Sequence, residues 1–215
     1  MASIIGHGGK ELVERIVSNK EEAKKKIRGL KELPVNRQLA TETISTAYGF
    51  FSPLEGFMKQ ADVDSTCKRM MLADGTVWSI PIVFDASNQE VADYNLKEGD
   101  AVLLSFNSNP LAIFEIEEVF TYNKAEMAED VYGTKDEKHP GVKRTLTYKD
   151  KFLGGKVTLV NLPKVREPFT PYFLTPREHR ERFQQKGWQR IVAHQTRNVP
   201  HTGHEWLMKH AWMAT

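Results

Sequence analysis

Gln189-Arg190-Ile191-Val192-Ala193-His194 runs directly into Gln195-Thr196-Arg197-Asn198-Val199-Pro200-His201-Thr202-Gly203-His204. The first six residues predict a short strand, the next nine a loop, and His204 to Trp212 a helix. Just upstream, Thr175-Pro176-Arg177-Glu178 carries a helix start, with Thr175 as cap, Pro176 at the first helical position and Glu178 closing a capping box. That helix is expected to run to about Lys186 and stop at Gly187. Helix, strand, loop, helix is the opening of an α/β nucleotide fold. Such folds bind ligands where a strand's carboxyl end leads into a helix N-terminus.

The loop's side chains suit an anion. Arg197 offers a planar fork of donors for oxyanions, and Gln195, Thr196 and Asn198 add uncharged donors. His201 and His204 lie three apart where a helix begins, so both can project to one side. Gly203 lets a phosphate approach the backbone, and the helix start adds free N–H groups and a partial positive charge. No nucleophile stands beside a base and a carboxylate, so the loop is expected to bind and polarise anions, as phosphoryl-group chemistry requires. Zinc is not expected. A His-x-x-His pair supplies two ligands, and His139, His194 and His210 do not fall in a zinc spacing.

Working back towards the N-terminus, four prolines at positions 163, 168, 171 and 176 mark an extended linker. This divides the chain into residues 1–163 and 164–215. Residues Lys10 to Leu30 predict a helix with an apolar stripe of Leu12, Val13, Ile16, Val17, Ala23 and Ile27. Further helices are expected over Ala40–Tyr48, Asp62–Leu72 and Asn123–Val131, with a turn-rich loop over Phe50–Gly56. Strands are expected over Thr76–Phe84, Ala101–Phe106, Ala112–Phe120 and Lys156–Val160. Asn107-Ser108-Asn109-Pro110 supplies hairpin chemistry, and Gly154-Gly155 precedes the last strand. Strands at this spacing predict a small β-barrel or sandwich over roughly residues 30–163, so the fold class is α+β.

The bulk numbers exclude little. Net charge is +2. From Lys164 to Thr215 nine Lys/Arg face four Asp/Glu, a balance of +5, which leaves −3 for the rest. A basic final quarter suits an anionic ligand or a solvated helix face. The net-negative N-terminal part weighs against nucleic acid. The single cysteine, Cys67, forms no internal disulfide, reads as a packed residue and fits a reducing, cytoplasmic compartment. No apolar run reaches the ~18 residues a membrane span needs, and residues 1–10 lack a signal-peptide core.

The His-x-Gly-His group resembles the nucleotidyltransferase signature. The whole stretch 195–204 resembles the Gln-x-Arg-Asn-Pro-x-His-x-x-His signature of ATP sulfurylases, with proline displaced one place by Val199. Three upstream blocks are similar to the same family: Tyr48 to Met58, Asp74 to Ile82, and Val131 to Asp136 with His139 to Val142. The resemblance implies a PUA-like, β-barrel-like N-terminal domain followed by the start of a Rossmann-like α/β nucleotidyltransferase domain. It implies sulfate adenylyltransferase activity, making adenylyl sulfate and pyrophosphate from ATP and sulfate, or the reverse. Gln195 and Arg197 would bind sulfate. Gln195, Thr196, Arg197 and Asn198 would contact ATP, with Thr196, Arg197 and Asn198 at the reacting centre. His201 and His204 would stabilise the phosphate chain and the leaving pyrophosphate. Mg²⁺ would arrive with ATP, and the intact protein would be a homo-oligomer. Complete family members carry a second nucleotide-binding segment, which does not occur before Thr215, so a truncated catalytic unit with little turnover of its own is expected. Two other readings stay open: another His-x-Gly-His nucleotidyltransferase, and an RNA-binding β-barrel module.

Overall fold

The computed structural model describes residues 5–17, 19–162 and 167–214. They fall in two compact units, Met1–Pro176 and Arg177–Thr215. The domain boundary expected at residues 163 and 164 lies outside the described residues.

In the first unit six strands form one mixed sheet: β1 (Lys31–Pro34), β2 (Gly56–Phe57), β3 (Phe84–Ala86), β4 (Ala101–Phe106), β5 (Asn109–Phe120) and β6 (Lys151–Leu159). The order is β1-β4-β5-β6-β2, with β3 also pairing β6. Only β1 and β4 pair in parallel. The β4–β5 hairpin follows from local chemistry. Asn107 and Ser108 both take positive φ, 51° and 58°, as a tight two-residue turn matching the strand twist requires. Leu111 to Phe114 are four consecutive buried residues, so both faces of the sheet are covered there.

Among its described residues this unit also has six α-helices: α1 (Lys20–Ile27), α2 (Arg37–Ala47), α3 (Gln60–Arg69), α4 (Asn88–Asp93), α5 (Lys124–Tyr132) and α6 (Pro140–Leu146). The α2 helix begins because the Asn36 side chain accepts the Leu39 N–H at 2.9 Å. It then buries Leu39, Ala40, Thr43, Thr46 and Ala47, one stripe at helical spacing, and packs on β6. The core centres on Phe57, Phe84 and Phe114, whose ring centroids lie 5.0–5.6 Å apart. A second cluster gathers Met58, Val63, Cys67, Phe120, Met127 and Phe152. There burial pushes the Cys67 thiol up to about 11, so Cys67 is a packing residue.

Three local expectations are corrected. The helix expected over Lys10–Leu30 forms only as α1. Residues 10–17 are instead extended, and Val17 N–H donates to the Leu159 carbonyl while Leu159 N–H donates to the Arg15 carbonyl. A stripe of Leu12, Val13, Ile16 and Val17 serves an extended segment as well as a helix, and the distant β6 end decides between them. The strand expected over Thr76–Phe84 is reduced to one bridge between Met71 and Val77 and the Phe84 end of β3. Between them the backbone bonds are single ones, from Trp78 N–H to the Met70 carbonyl and from Met58 N–H to the Ile82 carbonyl, and not a ladder. Gly154-Gly155 lies inside β6 rather than before it. Here β6 is squeezed between β5 and β2. A Cβ on Gly155 would sit 2.0 Å from the Glu115 carbonyl oxygen, and one on Gly56 would sit 1.9 Å from the Gly155 carbonyl oxygen. The Gly56→Ala change should therefore force β2 off β6 and lower stability by about 1–3 kcal/mol in denaturant titration. A loss of a few tenths would mean that the strands separate without cost.

The second unit carries α7 (Pro176–Gln185, whose first residue belongs to the first unit) and α8 (Thr202–Ala214). The α7 helix stops where expected. Gly187, at φ 66°, donates to Gln184, and Trp188 N–H donates to Phe183, the paired bonds of a Schellman end. The strand expected over Gln189–His194 does not form. A strand exists only by pairing, and no described segment of this unit is extended beside it. The last helix starts at Thr202, two residues before the expected His204.

Candidate active site

Residues 194–204 and the first turns of α8 form an open depression of about 550 Å³. It is lined by His194, Gln195, Thr196, Arg197, Asn198, His204 and Leu207. All five lining residues of the predicted set are thus brought together. His201 lies just outside the lining but is joined to it through His204, the two rings standing 4.1 Å apart and edge-on at 69°. His194 and Leu207 also line the depression. Neither residue belongs to the set that the sequence alone points to.

The loop is shaped by its own short side chains. Thr196 Oγ1 accepts the Asn198 N–H at 3.1 Å and donates to the Asn198 carbonyl at 3.3 Å, which turns the chain at Arg197. The Arg197 side chain is exposed, and among the described residues no carboxylate pairs with it. It is the single Lys or Arg lining the depression. Both histidines are tied by Nδ1 to the start of α8. His201 Nδ1 accepts the Gly203 N–H at 3.1 Å, and His204 Nδ1 accepts the His201 N–H at 3.3 Å. In the neutral imidazole an accepting Nδ1 leaves the proton on Nε2. Each ring therefore presents an Nε2–H donor without needing a positive charge. His204 is half-buried, whereas every other residue from 195 to 203 is exposed.

The donor set is amide, hydroxyl, guanidinium and imidazole. It lacks the carboxylates that Mg²⁺ prefers. The nearest acid in sequence, Glu205, is paired with Lys209. The loop residues thus do not form a magnesium site of their own. Among the described residues no group of three or more His, Cys, Asp or Glu side chains is placed to hold a metal ion. No helix among them is long and apolar enough to cross a membrane.

A second cleft, of about 270 Å³, lies in the first unit around Pro53–Lys59. Its lysines are already paired: Lys10 with Asp74, Lys59 with Glu117 at 3.0 Å, and Lys156 with Glu55 at 2.6 Å. The Lys10 ammonium holds the Asp74 carboxyl down to about 2. These closed pairs leave no open charge for an anion, so the loop of the second unit is the stronger candidate.

A mixed sheet domain is followed by a loop rich in hydrogen-bond donors at a helix start. Residues 4–162 match the PUA-like domain family. Residues 170–215 match the ATP-sulfurylase family. A sulfate adenylyltransferase of Hyperthermus butylicus is 41% identical over 207 residues, covering 95% of this chain and 52% of that protein. One of Halothermothrix orenii is 46% identical, covering 94% and 53%. The chain thus spans about half the length of the curated relatives it matches. Among solved structures, a hexameric APS kinase from Thiobacillus denitrificans aligns with a TM-score of 0.72 at 26% identity, covering 98% of this chain and 38% of that one. Over residues 4–162 the chain belongs to the PUA-like domain family, and its residues 170–215 are similar to ATP-sulfurylase sequence.

Proposed function

We propose that the polypeptide carrying this chain is a sulfate adenylyltransferase, and that residues 195–204 hold sulfate beside the phosphates of ATP. The observation that carries the reading is the convergence of Gln195, Thr196, Arg197, Asn198 and His204 on one depression at a helix start. In the forward reaction a sulfate oxygen attacks the α-phosphorus of ATP, the bond to the β-phosphate oxygen breaks in line, and pyrophosphate leaves. Sulfate is a poor nucleophile, so the protein must act by placement and charge neutralisation. Arg197 and Gln195 grip the sulfate, the guanidinium fork taking two of its oxygens. Asn198 contacts the α-phosphate side, while Thr196 keeps the turn that aims Arg197. The Nε2–H groups of His201 and His204 donate to the β- and γ-phosphates and take up charge as pyrophosphate departs. Mg²⁺ carried by ATP would supply charge neutralisation at the phosphate oxygens, with no ligand from residues 195–204.

The finer attributes belong to the same proposal. A homo-oligomer is expected, in keeping with the hexameric description of the aligned APS kinase. A cytoplasmic setting suits a chain with one buried free thiol.

The test is exchange of labelled pyrophosphate into ATP by the full-length polypeptide. Exchange should require sulfate. Exchange that ignores sulfate and follows another acceptor would instead identify a different His-x-Gly-His nucleotidyltransferase. Absence of exchange together with salt-dependent RNA binding would identify the β-rich domain as an RNA module.

A further inference from the structure

We propose that His194 is a positioning residue that holds the His204 ring in its donating orientation; the inference rests on reading residues 195–204 as the anion-binding loop. Two imidazoles stand edge-on to the His204 ring. The His201 ring lies 4.1 Å away at 69°. The His194 ring lies 6.1 Å away at 77°. Edge-to-face rings attract through the positive edge of one and the negative face of the other. His194 lines the same depression as Arg197 and His204.

The need for such a brace follows from the geometry of His204. Its Nδ1 accepts a bond of 3.3 Å from the His201 backbone, near the long end of the useful range. A flip of the ring about its outer torsion would put Cδ2–H in the place of Nδ1 and Cε1–H in the place of Nε2, breaking the backbone bond and turning the Nε2–H away from the ligand. The backbone bond alone opposes that flip weakly. Each ring packed edge-on against His204 narrows the torsion further, and His201 supplies only one of the two. His194 acts through shape, so any flat ring at position 194 should do its work, and a methyl group should not.

The experiment uses His194→Ala and His194→Phe. In the full-length polypeptide, His194→Ala should raise KM for ATP roughly three- to tenfold, with kcat changed much less, as loss of one edge-to-face pair implies. His194→Phe should recover most of that loss. In the 215-residue chain, nitrogen-15 spectra of the imidazoles should show His204 as a single Nε2–H tautomer in the wild type and in His194→Phe. In His194→Ala it should show a mixture. An unchanged KM and an unchanged tautomer in His194→Ala would overturn the proposal. So would a Phe variant as impaired as the Ala variant, since the imidazole nitrogens would then carry the effect. If the wild type shows no sulfate-dependent exchange, the functional reading fails, and the His204 spectra still decide the role of His194.

Discussion

Replacing Arg197 with alanine will lower sulfate-dependent pyrophosphate exchange by the full-length polypeptide about 10²- to 10³-fold, the usual cost of removing one donor that faces developing charge. The reason is that nothing nearby can take its place. Arg197 is the one Lys or Arg of the depression, and the Nδ1 atom of each histidine is already engaged by a backbone N–H. Sulfate carries two negative charges, and without a fixed cation it keeps its hydration rather than entering beside triphosphate. Arg197→Lys keeps the charge and loses the fork, so it should fall between the two. Thermal stability should not move in either variant, because the side chain is exposed and, among the described residues, bears no ion pair. Wild-type exchange in Arg197→Ala would remove the basis for the functional reading.

The largest effect on stability is expected at Phe114, where the change to alanine should cost about 3–5 kcal/mol in urea titration. Phe114 is fully buried. Its ring stacks on Phe84 at 5.0 Å and meets the edge of Phe57 at 5.6 Å, so one side chain of β5 joins β3 and β2. In the sheet it sits between Val102 of β4 and Val157 of β6. Truncation would leave a void bounded by backbone on two sides, which cannot collapse without breaking the register. Phe114→Leu keeps most of the volume and should cost under about 1.5 kcal/mol. Equal losses for the two variants would show that ring geometry, not filled volume, governs this core.

Elements set by neighbouring residues were legible in the sequence. The Asn107-Ser108 turn, the α5 start at Asn123 and the α7 stop at Gly187 are all decided within a few positions. Those decided by distant partners were not. Residues 12–17 look helical until Leu159 offers its backbone, and Gly154-Gly155 looks like a turn until β2 and β5 close on it. The α6 helix carries a local start signal of its own. His139 caps it by accepting the Val142 N–H at 3.4 Å, and Pro140 stands at its first position. The loop was legible because its chemistry is local to ten residues. His194 was not, since only the fold brings its ring against His204.

Three of the four tryptophans, Trp188, Trp206 and Trp212, belong to the second unit. Trp188 stacks on Phe183 beneath the Lys186 ammonium, and Trp206, two residues past His204, lies flat on the His210 ring at 5.2 Å. Ultraviolet excitation of this protein therefore draws most of its indole emission from the segment that bears the loop. If the loop holds a dianion as proposed, its arrival should be followed through that intrinsic emission, without a dye.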